Sequence, residues 1–407
     1  MATLARPAIP VLSLVLLVAA AVLLNYVDRG TVAVAAPLMK SELGLSATGF
    51  GIAVSAFFWV YAPIQLGVGW LCDRFPVYRL LALGLLLWGL STAAMGFVGS
   101  LTGLIVLRLL LGLGESIAFP GASKIICRHV PPSRRGIANS AVAAALALGP
   151  AVGTLAGGIL MINFGWRAMF VVCGLATLLW LLPWQGMTRT LPAEHRHAAA
   201  DRFPLKKLIG TRALLTTSIC HFAANYSFYF LLAWLPLYLV NQRGFSLQTM
   251  TVITTVAYLA QAASAIATGW LCDRHHAGGG DAGRAFRLFS VLAAGLVGAA
   301  ILGVALADNT PLLILFLILA GIGCGPTSVT LYAVAQTFAG PRAAGTYVGV
   351  QNAMGNLAGI IAPIVTGLIV DKTGSFLNAF YVAAAICFVG ALCWAKGVPR
   401  IAPLDLD

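Results

Sequence analysis

The sequence predicts an all-α membrane protein with twelve transmembrane helices in two six-helix bundles related by a pseudo-two-fold repeat. Three observations predict it. Of 407 residues, 60% are hydrophobic and only 9% are charged, against about 25% charged in an ordinary soluble domain. Apolar runs of about 20 residues, the length that crosses a bilayer, follow one another almost from end to end. A six-residue segment, GWLCDR, occurs at Gly69–Arg74 and again at Gly269–Arg274.

Lipid offers no partners to backbone amides, so spans must be helices or a closed barrel. Runs this continuously apolar lack the alternation of barrel strands. Apolar runs between polar breaks place helices near 10–39, 47–71, 78–98, 101–124, 137–163, 167–185, 211–240, 247–271, 285–307, 311–338, 343–370 and 376–397. The first run passes through Asn25, Asp28 and Arg29 and is too long for a cleavable leader, so it reads as the first span.

With both termini on the cytoplasmic side, most of the 25 Lys and Arg lie in cytoplasmic segments. Lys40, Arg167, Arg243 and Lys372 then lie outside, and Arg29 and Arg108 within spans. The positive-inside rule selects this orientation and predicts a multi-pass protein of the cell inner membrane. A net charge of +13 spread over loops is topology and predicts no nucleic-acid partner.

The polar stretch around 187–210, with Arg189, Arg196, Arg202, Lys206 and Lys207, separates residues 1–186 from 211–407 and reads as a linker between the bundles. Both GWLCDR copies fall at the cytoplasmic end of the second helix of a half, the pattern of parallel repeats flanking a central site. The eight cysteines lie in or beside apolar spans without metal spacing, and read as reduced packing residues. No metal site, organic cofactor, Ser-His-Asp pairing or phosphate loop is evident, so no enzyme is predicted.

Asp28, Arg29, Arg108 and Glu115 are the carboxylates and guanidiniums deep in predicted spans. A charge at bilayer depth costs at least about 2.5–3.5 kcal/mol, so such groups face a cavity or a partner. Arg108 and Glu115 are two turns apart, on one helix face. A planar guanidinium fits a carboxylate bidentately. Protonating a neighbouring acid frees the Arg for an incoming anion, and the anion in turn favours that proton, so each ligand raises affinity for the other.

Further polar groups could meet the rest of a ligand. They are Tyr61 and Gln65 on the second helix, Asn225 and Tyr229 on the seventh, Ser328 and Thr330 on the tenth, and Asn352 and Asn356 on the eleventh. Each has the competing reading of a bond between helices. His221 reads rather as a hydrogen-bonded packing residue.

Over nearly its whole length the sequence resembles the major facilitator superfamily. The resemblance rests on Gly69-x-Leu71-x-Asp73-Arg74 with Arg79, and its shortened second copy with Asp273-Arg274. It implies a conformational latch at those residues. Within the superfamily the chain is similar to the anion:cation symporter family, which includes bacterial sugar-acid transporters and the lysosomal sialic acid carrier. The matching segments are Asn25-Tyr26-Val27-Asp28-Arg29, Arg108-x5-Gly114-Glu115-x3-Phe119-Pro120, Asn225-Tyr226, Trp234-Leu235-Pro236-x-Tyr238-Leu239 and Asn352-x3-Asn356.

The resemblance implies Asp28 and Glu115 as proton carriers and Arg29 as substrate anchor, with protons as the coupling ion. Arg108 is equally a ligand or a brace. The chain departs from the sugar-acid members at Ala141-Val142, after Asn139-Ser140, where those members commonly carry a glutamine. The expectation is proton-coupled symport of a small organic anion, such as a hexuronate, an aldonate or another carboxylate, by a monomer. A proton-antiport exporter and a non-transporting anion sensor are the alternatives.

Overall fold

The computed structural model describes residues 11–131, 134–191 and 208–405. Those residues form helices and no strand. In chain order they are α1 (Val11–Glu42), α2 (Ala47–Ile64), α3 (Val68–Arg74), α4 (Val77–Met95), α5 (Leu101–Glu115), α6 (Ala118–His129), α7 (Arg135–Leu179) and α8 (Leu181–Thr190). Then follow α9 (Arg212–Asn241), α10 (Leu247–Ala277), α11 (Ala282–Leu306), α12 (Thr310–Thr373) and α13 (Leu377–Leu392), closed by a π-helical turn at Cys393–Gly397. Among the described residues, eleven segments are long and apolar enough to cross a membrane, so the all-helical, multi-pass expectation holds.

Two of the helices are longer than any single crossing, and each is broken at a glycine. In α7 the backbone leaves helical geometry at Gly165 (φ 82°, ψ 163°), and in α12 at Gly340 (φ 62°, ψ 177°). Only glycine enters this region without strain.

Two expected helices are interrupted. The span expected at 47–71 breaks between Ile64 and Val68, just after Pro63, whose ring cannot donate to the helix ladder. The span expected at 101–124 turns at Ser116–Ile117 and resumes as α6. The helix expected at 167–185 runs on through α8 to Thr190.

The repeat has a counterpart in local geometry. Gly44 and Gly244 both take positive φ (59° and 70°), and Ser46 and Ser246 each cap the helix that follows by accepting from Gly49 N and Thr249 N. These pairs share the spacing of the two GWLCDR copies. A side-chain acceptor at each start satisfies amides that the helix itself leaves open.

Helices pack closely where small residues let backbones meet. A Cβ added at Gly153 would lie 2.3 Å from Val27 O, one at Gly149 2.3 Å from Tyr26 Cβ, and one at Gly112 2.3 Å from Phe57 O. These approaches draw α7 against α1 and α5 against α2. The chain's two parts meet along α1 with α9, α2 with the second portion of α12, and α7 with α10. The tightest joint lies at the end where α2 begins: Gly51 fits under Pro363, Gly367 under Ala47, and Phe50 meets Trp234 edge-on at 5.5 Å.

Candidate functional site

Four charged side chains sink into the middle of the bundle because α1 and α5 carry them there on faces otherwise lined with small and aliphatic residues. Asp28, Arg29, Arg108 and Glu115 are all buried. Arg29 Nε donates to Glu115 Oε2 at 3.2 Å, which ties α1 to α5. Asn25 Nδ2 reinforces that tie by donating to the backbone oxygen of Glu115 at 3.4 Å. Thr92 Oγ1 donates to Asp28 Oδ2 at 3.1 Å, and Arg108 Nη2 donates to Val54 O at 3.0 Å.

These bonds leave part of each group unused. Asp28 Oδ1, Arg29 Nη2, Arg108 Nε and Glu115 Oε1 are buried with no hydrogen-bond partner among the described residues. Buried polar atoms ordinarily find partners, so four such atoms in one cluster point to a place where ligands act.

The Arg29 guanidinium is held among rings. Its carbon lies 4.7 Å from the Tyr26 ring centre and 5.0 Å from those of Phe57 and Tyr61. Arg108 lies 5.0 Å from the same Phe57 ring, so one aromatic spans both cations. Planar guanidinium stacks well on such faces, an arrangement lysine does not reproduce. A pocket opens here between the two parts of the chain, lined by Arg29, Val54, Phe57, Phe58 and Arg108 on one side and by Tyr229, Leu232, Ala233 and Pro363 on the other.

The second part contributes a neutral network. Tyr229 Oη donates to Asn356 Oδ1 at 2.7 Å, Asn356 Nδ2 donates to Asn352 Oδ1 at 3.1 Å and to Asn352 O at 2.8 Å, and Tyr332 Oη donates to Asn352 Oδ1 at 3.3 Å. The Tyr229 ring sits 4.5 Å from Phe58, joining this network to the charged side.

Tyr61 lines the guanidinium, and Gln65, one turn on, has a buried Nε2 without a partner. Asn225 is half-buried on α9. Ser328 is exposed and bonds to Gly325 O, whereas Thr330 is fully buried, bonded to Pro326 O and paired with Ser290 of α11. Thr330 therefore serves the contact between α12 and α11 in this conformation. His221 is buried under Gly355, with Nδ1 unpartnered.

Of the latch residues, Gly69 and Asp73 lie in α3, and the Asp73 side chain is outside what the structure describes. Arg74, Arg79, Asp273 and Arg274 are exposed, Arg274 stacking over Trp270 at 5.3 Å. Sequence reasoning quoted Tyr26 in the Asn25–Arg29 segment without giving it a site role, and missed Phe57, Phe58, Thr92 and Tyr332. Tyr26 adjoins the charged segment it serves, and Phe57 lies one turn before Tyr61; those spacings were the available signal.

A profile for the Major Facilitator Superfamily matches residues 18–363 and 290–405. The chain belongs to that superfamily. It is thus a transporter and not an enzyme. It is 31% identical to a probable sulfoacetate transporter of Cupriavidus necator, over 90% of this chain and 89% of that one. It is 29% identical to a hexuronate transporter of Bacillus subtilis (93% and 92% covered) and 29% identical to a probable galactarate/D-glucarate transporter of the same organism (90% and 86%). Among solved structures, a bacterial homolog of the human lysosomal transporter Spinster, in an inward-facing and unoccupied conformation, shares the fold. Its TM-score is 0.77 at 18% identity, covering 97% of this chain and 99% of that one.

Proposed function

We propose that this transporter carries a small organic anion together with protons, by alternating access around the Arg29 chamber. Arg29 anchors the anionic group, and Glu115 and Asp28 take up the coupling protons. The observation that carries the reading is the single Arg29–Glu115 bond, which leaves Arg29 Nη2 and Glu115 Oε1 unpartnered beside a pocket between the two parts of the chain. An anion entering there supplies the acceptor that Nη2 lacks. A proton on Glu115 offsets the added negative charge and loosens the acid's hold on the guanidinium. Relatives named for sulfoacetate, hexuronate and galactarate/D-glucarate support an anionic cargo.

The same reading gives twelve crossings, with α7 counted as two across Gly165, in two six-helix bundles joined by the 187–210 segment. Both termini are cytoplasmic, in the inner membrane. The tight joint at the start of α2 is then the outer end, and the chamber opens toward the cytoplasm.

The test is uptake into proteoliposomes of labelled sulfoacetate, glucuronate and glucarate, with a trapped pH dye. Acid outside is expected to drive accumulation of at least one of them, with alkali-reversible acidification of the lumen. Accumulation indifferent to the pH gradient would refute the coupling. Failure of every anion to exchange would refute the cargo class.

A further inference from the structure

The outer joint contains a contact that packing alone does not require. Asp371, near the end of α12, reaches across to the first turn of α2, where its two carboxylate oxygens accept from successive backbone amides: Ala47 N to Oδ1 at 2.8 Å and Thr48 N to Oδ2 at 2.7 Å. The amides that open a helix have no partner within it and carry the positive end of its dipole. Ser46 meets the Gly49 amide, so the cap of α2 is shared between its own serine and a carboxylate from the other part of the chain.

We infer that Asp371 is a positioning residue of the transport cycle: a charged latch that holds the outer end shut by capping α2 from the opposite bundle. This rests on the alternating-access reading above. Both bonds are charge-assisted and short, and because Asp371 is exposed, water tempers their strength. They form only when α12 and α2 are as close as they are here, with the added Cβ at Gly51 2.3 Å from Pro363 O and that at Gly367 2.6 Å from Ala47 O. Opening the outer end separates α2 from α12, strips the carboxylate from both amides and returns each to water. The latch therefore adds a fixed cost to leaving the present state. It touches neither Arg29 nor Glu115.

The contact lies at the start of α2, whereas the first GWLCDR copy follows the other end of that helix in α3. Losing the Asp371 fastening therefore changes the balance between the closed and open outer end. Neutralising Asp371 shifts that balance toward the outward-open form without removing the binding site.

The experiment uses the full chain with its native cysteines replaced and a single reporter cysteine at Val32, a buried pocket-lining position below the outer joint. A membrane-impermeant maleimide is applied from outside to right-side-out vesicles. Asp371→Asn is expected to raise the labelling rate on the order of tenfold, as loss of charge-assisted bonds should, and Asp371→Glu by much less. Ala47→Pro is the second variant. Proline is well tolerated at the first helical position, yet it deletes one of the two donors, and it should raise labelling in the same direction.

Unchanged labelling in both Asp371→Asn and Ala47→Pro would overturn the latch. The readout needs no substrate and no proton gradient, so it stands or falls separately from the cargo and coupling assignments. Should labelling rise while no anion is carried, the latch holds and the proposed function fails.

Discussion

Glu115 Oε2 accepts from Arg29 Nε, and the bond is monodentate: at 3.2 Å it uses one edge of the guanidinium and leaves Nη2 free of partners. A bidentate pair would have closed the site. The geometry instead keeps a donor available between Tyr26, Phe57 and Tyr61, the place the proposed function gives to the anion.

Arg29→Lys is accordingly expected to fold yet bind poorly. Lysine keeps the charge but loses the planar fork and the stacking on three rings. Affinity for a transported anion should fall on the order of tenfold or more, measured by ligand-induced thermal stabilisation of the purified protein. Parent-like affinity would show that the anion does not contact the guanidinium edge.

Glu115→Gln separates exchange from accumulation. The amide oxygen still accepts from Arg29, so the site should assemble, but the position no longer takes and releases a proton. Counterflow of a labelled anion should persist within a few-fold of the parent, while accumulation driven by an acid exterior should fall to the equilibrium level. Retained accumulation would take Glu115 out of the coupling.

Gly153→Ala tests how the charged segment is positioned. The new Cβ would lie 2.3 Å from Val27 O, 2.8 Å from Val27 Cα and 2.9 Å from Val27 C. Backbone cannot rotate away as a side chain does, so α1 must move, and Val27 immediately precedes Asp28 and Arg29. Overpacking of this kind costs about 1–3 kcal/mol. Both a lowered Tm and weakened anion binding are expected, and a parent-like Tm with parent-like binding would show that α1 and α7 yield freely.

Much of this was legible in the sequence because bilayer chemistry leaves few options. Charge is so costly at depth that Asp28, Arg29, Arg108 and Glu115 announced themselves, and all four are buried together. The neutral side chains were harder to assign. Thr330 and Ser328 are two residues apart on one helix and looked equivalent, yet one is locked against Ser290 and the other exposed. A hydroxyl satisfies itself equally well on a helix carbonyl, another helix or a ligand, and spacing does not distinguish these. The aromatic cradle stayed hidden for a related reason: in so apolar a sequence, Phe57 and Phe58 look like ordinary lipid-facing or packing residues. Their role depends on Arg29 and Arg108, which other helices supply.

Gly165→Ala probes a different use of glycine. An added Cβ there meets nothing within 4 Å, but φ is 82° with ψ 163°, a region closed to other residues at a cost of about 1–3 kcal/mol. The penalty falls on the turn in α7, far along the chain from the charged cluster. The expected result is a lower Tm with ligand affinity unchanged at permissive temperature, the opposite pairing to Gly153→Ala. Weakened binding would mean that the turn also sets the site.

Tyr229 offers two handles, a hydroxyl on Asn356 and a ring on Phe58. The hydroxyl bond lies wholly within the second part of the chain, where Asn356 also bonds Asn352. The ring is what crosses to the charged side. Tyr229→Phe keeps the ring and removes one neutral hydrogen bond, worth about 1 kcal/mol, so exchange of a labelled anion should stay within about threefold of the parent. Tyr229→Ala removes the ring and opens space between Phe58 and the neutral network. Anion binding at Arg29 should survive that change, whereas exchange should drop on the order of tenfold, because the second part of the chain loses its ring contact with Phe58 beside the Arg29 pocket. Comparing equilibrium binding with counterflow rates in the two variants decides the point: if Tyr229→Phe loses as much exchange as Tyr229→Ala, the hydroxyl network carries the coupling between the halves and the ring does not.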